Sequence, residues 1–283
     1  MTISVLTNVA SLNAQRNLTS TQSALAKSVG RLSSGMRINT ASDDAAGLGI
    51  SENLSANIRS LAQAQRNAND GISMTQVAEG SMSDMQGIVS RMRELSVQSA
   101  NGTLGTNERG YIQTEFTELK TEIDRISKVT EFNGQKLLDG SASAASGGLS
   151  FQIGIHNTTD DRLTMNIAQL DSSTLGATGA FISAQDLSTV TGAQTAIGVF
   201  DGAIQQLSSA RASVGATQNR ITVTVSNLAV AQENLSAANS RIRDVDVASE
   251  SANLTKSQIL SQAGLAVLAQ ANQLPQSALS LLR

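Results

Sequence analysis

A mainly α fold is predicted: a long antiparallel coiled-coil helical rod with a small β-hairpin, its N- and C-terminal halves paired. Three observations predict it. Only one proline, Pro275, stands in 283 residues, so almost nothing interrupts long helices. Aromatics are 2% of the chain, with no Trp, one Tyr and five Phe. Ala, Leu, Ile and Val must therefore do the packing, which suits thin helix–helix seams better than a thick core. Finally, apolar residues recur at alternating spacings of four and three, the coiled-coil pattern.

The elements follow in chain order. Leu25, Val29, Leu32 and Met36 form a short seam. Ser42, Asp43 and Asp44 precede Ala45-Ala46, a helix N-terminus with side-chain acceptors for its free N–H groups. A looser seam follows at Leu54, Ile58, Leu61, Gln65, Ala68 and Ile72. Asn101-Gly102 ends that helix, since Gly readily takes the left-handed C-cap conformation. Thr106 or Asn107, ahead of Glu108, starts the next, whose seam is Ile112, Phe116, Leu119, Ile123 and Ile126.

After the Asn133-Gly134 turn the period changes to two. Leu149, Phe151, Ile153 and Ile155 alternate with polar or small residues, as do Leu163, Met165 and Ile167. With the polar tip His156–Arg162 between them they predict a β-hairpin. Residues 171–192, rich in Ser, Thr, Gly and Ala, predict a loop or small excursion. Helical spacing resumes after Gly192 and runs to about Arg243, with a seam at Ile221, Val225, Leu228, Gln232, Leu235, Asn239 and Ile242. Polar Gln232 and Asn239 at seam positions either fix register at a cost in stability or face a wet gap.

Catalytic patterns are sparse. His156 is the sole His, set in a hairpin tip without an HExxH or Cys partner, so a solvated turn His is the expectation. Asp43–Asp44 and Asp160–Asp161 are adjacent pairs, which suit caps and turns more than one shared site. Gly47-Leu-Gly49 lacks the strand-then-helix setting of a dinucleotide loop, and the Asn101-Gly-Thr103 triplet reads as incidental. No cofactor and no metal is implied. Cys is absent, which excludes disulfides and thiolate sites. The net charge of −3 is too small to argue for nucleic acid. No acid occurs from Met1 to Ser42, whereas Arg16, Lys27, Arg31 and Arg37 do. The first residues show no secretory signal, and no apolar run approaches the ~20 residues of a membrane helix, so a cytoplasmic protein without membrane insertion is the bare expectation.

Both ends carry longer signatures. One is Leu32–Glu52, LSSGMRINTASDDAAGLGISE; the others are Ser240–Glu250, SRIRDVDVASE, then Gln262-Ala-Gly264 and Ala271–Arg283, ANQLPQSALSLLR. The two blocks resemble bacterial flagellin over roughly residues 1–140 and 195–283. The resemblance implies a non-enzymatic subunit that self-assembles into the flagellar filament for swimming motility. The hook–filament junction protein of the same fold is the alternative. It also implies secretion through an export channel without a cleaved signal, to the extracellular filament. The implied partners are further copies of the chain, an export chaperone, and cap and junction proteins. By the same resemblance residues 1–43 and 244–283 form terminal inner-core helices, 44–170 and 193–243 a helical rod with the hairpin, and 171–192 a truncated variable loop. That stretch leaves no room for a grafted catalytic domain.

Apolar Ile3, Val5, Leu6, Val9 and Leu12 at one end answer Ile259, Leu260, Leu265, Val267, Leu268, Leu279, Leu281 and Leu282 at the other. Short terminal helices bury too little surface alone and order by packing on neighbours. Inner-core subunit packing is expected at Leu6, Leu12, Leu25, Leu32, Leu260, Leu265, Leu268 and Leu282. Ser90–Gln98 (SRMRELSVQ) and Ile112–Phe116 (IQTEF) resemble the flagellin surface recognised by the vertebrate innate immune receptor TLR5. Carried over by position, the contact residues are Arg91, Leu95, Gln98 and Glu115.

Overall fold

A computed structural model describes residues 7–177 and 179–280, with the backbone alone over 274–280. Five helices dominate: α1 (Val9–Ser34), α2 (Ala45–Ser99), α3 (Thr106–Val129), α4 (Val190–Arg243) and α5 (Val247–Ser280). Between α3 and α4 lie three two-stranded antiparallel ladders. These are β1 (Glu131–Phe132) with β2 (Gln135–Lys136), β3 (Leu149–Gln152) with β4 (Arg162–Met165), and β5 (Gly176–Ala177) with β6 (Ala180–Phe181). The chain divides into two compact units, Met1–Ile58 with Glu233–Arg283, and Arg59–Gln232.

The first unit is helix on helix. Asn8 caps α1 by accepting from the Ser11 N–H, and Gly35, at φ 71°, ends it in the left-handed conformation. Asp44 caps the start of α2, its carboxylate accepting from the Gly47 N–H at 2.8 Å. Asp246 does the same for α5 through the N–H groups of Ala248 and Ser249. The links 35–44 and 244–246 meet as an antiparallel bridge, Met36 against Asp244, flanked by Arg37 N–H to Arg243 C=O and Val245 N–H to Gly35 C=O. The start of α2 runs antiparallel to the end of α4: Asn239 reaches Ser55, and Arg243 pairs with Glu52 at 2.8 Å. Leu235, Asn239 and Ile242 are half-buried along that pairing, as their spacing predicts.

The second unit holds the thick core. Met82, Met85, Met92 and Leu95 of α2 meet Phe116 and Ile123 of α3 and Phe200 and Leu207 of α4, all essentially without solvent contact. Phe116 and Phe200 cross edge-to-face, ring centroids 5.9 Å apart, the preferred aromatic geometry. Arg93 pairs with Asp201 and Arg211 reaches Gln86 and Glu79, which fixes α2 and α4 antiparallel. A second small cluster of Ala68, Ile153, Leu163 and Ile221 lies under the β3–β4 hairpin. Phe151 and Ile221 close over Gly71, where a side chain would crowd both.

Several boundaries move from their expected places. Hairpin pairing stops at Gln152, short of Ile155, where Asp161 takes over as organiser of the tip, and at Met165, beyond which the Ile167 N–H donates to the Ala142 carbonyl. The Asn133-Gly134 turn is a two-residue hairpin loop, both residues at positive φ (51° and 81°), the geometry that matches strand twist. Residues 171–192 are not a plain loop. They hold β5, β6 and a 3-10 turn, bury Leu175, Ile182 and Leu187, and run into α4 from Val190. Polar groups far away in sequence pin them: Asp124 accepts from Ser172, the Ser99 hydroxyl donates to the Leu187 carbonyl, and Gln113 accepts from its N–H.

Candidate functional surfaces

The α1–α5 pair is antiparallel, with Ser11 bonded to Asn272, Leu18 against Gly264, and Arg31 beside Glu250. On α1 the inward residues are Ser11, Ala14, Leu18, Thr21, Leu25, Ser28 and Leu32. On α5 they are Glu250, Leu254, Ser257, Ser261, Gly264, Leu268 and Ala271. Both series step by three and four without a break, a coiled-coil seam written largely in small and polar residues. The expected α1 register is thereby corrected. Leu25 and Leu32 face the seam, but Val29 is 50% exposed and Ser28 takes its place. Met36 lies beyond the helix, in the bridge to Asp244. Small seam residues let the two backbones approach, and Leu18 on Gly264 is the closest such contact described.

A second set of large apolar residues faces outward instead. Val9, Leu12, Val247, Ile259, Leu260, Leu265 and Val267 are all between 48% and 61% exposed. Of the residues expected to pack between subunits, Leu12, Leu260 and Leu265 are on this open face, while Leu25, Leu32 and Leu268 are half-buried in the intrachain seam. Leu6 and Leu282 lie outside the described residues, as do Ile3, Val5 and Leu281. Sequence periodicity did not separate the two faces, because both carry Leu and Ala; a count of small residues at heptad positions would have.

A charge cluster closes one end of the pair. Lys27 meets Asp43 at 2.7 Å, and Arg31 lies 3.9 Å from Asp43 and 3.6 Å from Glu250. The Lys27 ammonium, with the Thr40 N–H behind it, holds the Asp43 carboxyl well below the usual carboxylate range. Arg37 turns away from these acids and donates to the Ile242 carbonyl at 2.6 Å.

In the second unit, Arg91 bridges α2 and α3. Its guanidinium lies 2.9 Å from Glu115 and 3.1 Å from Glu94, both exposed, and Glu115 first and Glu94 second raise its pKa. Gln98 is exposed beside them. Leu95 is not on this surface: it is 1% exposed and packs in the core, because its heptad position points inward with Met92. Arg109, missed in the sequence, is buried at the end of α2 and donates to the Ser99 and Asn101 carbonyls, capping that C-terminus. His156 sits exposed in the hairpin tip, its backbone N–H donated to Asp161. Among the described residues no group of three His, Cys, Asp or Glu could hold a metal, and no helix is long and apolar enough to cross a membrane.

Known proteins resemble this chain at both ends. Residues 5–143 match the bacterial flagellin N-terminal helical region, and residues 197–282 the bacterial flagellin C-terminal helical region. The chain is 45% identical to a flagellin of Bacillus subtilis and 44% identical to one of Halalkalibacterium halodurans, each match covering 98% of both proteins. A solved structure from Vibrio parahaemolyticus, described as a flagellar hook-associated protein, superposes with a TM-score of 0.59 over 71% of this chain and all of its own. At 14% identity it shares the fold alone. With long helical regions at both ends matched in order and relatives matched nearly end to end, the chain belongs to the bacterial flagellin family, the structural subunits of the flagellar filament.

Proposed function

We propose that the α1–α5 pair is the assembly element: its exposed apolar residues become buried between copies when the filament forms. One observation carries this reading. In a single copy the seam of the pair is filled by small and polar residues together with Leu18, Leu25, Leu32, Leu254 and Leu268, while Val9, Leu12, Val247, Ile259, Leu260, Leu265 and Val267 remain in water. Such a face costs hydrophobic free energy until a neighbour covers it, at about 25 cal/mol per Å². Terminal segments 1–43 and 244–283 are the inner-core packing segments in this reading, with Leu6, Leu12, Leu260, Leu265 and Leu282 contributing between subunits. Leu25, Leu32 and Leu268 support them from within. The protein is secreted, and an export chaperone masks the same apolar face before assembly; cap and junction proteins engage it at the filament ends. It carries no catalytic role, a reading that peptidase activity in purified filaments would contradict.

Amide exchange tests the reading. Residues 7–34 and 247–280 should exchange fast in dilute monomer and slow strongly on polymerisation. Strong protection in the monomer would overturn it.

A second surface is proposed at Arg91, Gln98 and Glu115 for TLR5, with Leu95 holding the helix face from beneath. The Arg91–Glu115 bridge, exposed on both partners, supports it. Monomer carrying Arg91→Ala and Glu115→Ala should activate receptor-bearing reporter cells less than wild type; equal activation would dismiss the surface.

A further inference from the structure

The α1–α5 pair carries more cationic than anionic groups, and the ion pairs among the described residues balance only part of the excess. Helix α1 has no acid, and α5 has one, Glu250. A cleft of about 290 Å³ opens between the two helices, lined by Lys27, Ser28, Arg31, Asn253, Lys256 and Ser257, with the Glu250 carboxylate in its wall. Three cations gather there. Two carboxylates answer them from within, Asp43 to Lys27 and Arg31, and Glu250 to Arg31. Both acids are about nine-tenths buried, so they are committed to these partners. Lys256 has no carboxylate within ion-pair reach among the described residues. The Nε–H of Arg31 is buried and has no acceptor. The Ser28 and Ser257 side chains are buried in the same wall. The cleft thus offers an unpaired ammonium, an unmatched guanidinium N–H, hydroxyls and an amide around a space with room for one further acceptor.

We propose that this cleft is a socket for a carboxylate, and that the occupant is an Asp or Glu side chain of a second copy of the chain. The proposal rests on the assembly reading above. A donor set of this kind takes a carboxylate by charge-assisted hydrogen bonds, roughly twice as strong as neutral ones. Another copy is the source because Asp43 and Glu250, the acids at the cleft, are already paired with Lys27 and Arg31. The socket also adjoins the outward apolar face: Leu260 lines it and is 48% exposed. An apolar contact surface beside a partly dry charge site is the arrangement that gives an interface its register, since a misplaced neighbour would leave the cation unpaired.

Zero-length crosslinking tests this. Unlabelled and ¹⁵N-labelled wild-type copies are mixed, polymerised and treated with a water-soluble carbodiimide, which joins an ammonium to a carboxylate in contact. The expected product is a mixed-isotope peptide pair containing Lys256 and an acid of the other copy, absent from unpolymerised protein. Lys256→Glu should raise the monomer concentration needed for polymerisation about tenfold, while Lys256→Arg keeps it within about twofold. Both variants should keep wild-type helicity, because Lys256 supports no intrachain pair. Filaments whose Lys256 crosslinks only within its own copy, or not at all, overturn the proposal. Failure of wild-type protein to polymerise would instead overturn the assembly reading, and the socket with it.

Discussion

The two units solve the packing problem in opposite ways. In Arg59–Gln232, large side chains point inward: Phe116, Phe200 and four methionines of α2 share one core. In the α1–α5 pair, mostly small and polar residues share the inward seam with a few Leu, and a set of Leu, Ile and Val points out. The first arrangement is finished within one chain. The second leaves apolar surface in water and gains little from its own seam, so its stability depends on what covers it. A filament subunit needs both, one part that folds before assembly and one whose ordering is coupled to it.

The comparison breaks most directly with matched deletions. Leu207→Ala, in the closed core, should cost about 3 kcal/mol in monomer unfolding, through lost transfer and a residual cavity. Leu18→Ala, in the two-helix seam, should change monomer unfolding by less than about 0.5 kcal/mol, because the α1–α5 pair orders only on assembly. Equal costs by denaturant titration would mean that the two units are packed alike.

A charge placed in a seam should come next. Leu235→Asp buries an unpaired carboxylate where α4 meets the start of α2 and should cost about 2 kcal/mol. The exposed neighbour Ser236→Asp should stay within about 0.5 kcal/mol. Matching melting temperatures would show the α4 register to be wrong.

The outward face sharpens the contrast by separating folding from assembly. Ile259→Ser should change monomer stability by less than about 0.5 kcal/mol, because Ile259 is 61% exposed. The same change should sharply reduce filament formation, scored by sedimentation. Normal filaments would remove the assembly role of this face.

The smallest effect concerns pH. The Asp43 carboxyl is held well below its unfolded value, first by Lys27. Its contribution is therefore fully present above the ordinary carboxylate range near pH 4 and is lost as pH falls below it. Asp43→Asn should flatten the acid side of the filament's pH-stability profile and leave monomer unfolding of the Arg59–Gln232 unit unchanged. An identical acid limb in the variant would mean that the cluster adds nothing.

The sequence by itself determined the helical class, the hairpin and the seams of α3 and α4. Ile112, Phe116 and Ile123 face inward as their spacing requires, because a heptad of large apolar residues has one stable orientation. It also determined the Asp44 cap, which needs only the next turn of backbone, whereas Gly102 is not left-handed and the end of α2 is capped by Arg109. The tertiary structure alone decided three things. It gave residues 171–177 and 179–192 fixed partners, because Asp124, Gln113 and Ser99 lie on helices far away in the chain. It placed Leu95 in the core and off the exposed Arg91 face, since inward and outward heptad positions differ only by which neighbours close over them. And it shifted the α1 seam from Val29 to Ser28. Hydrophobicity marks what must eventually be buried, whereas backbone approach over Gly264 decides what is buried within one copy, and only the packed pair of helices distinguishes the two.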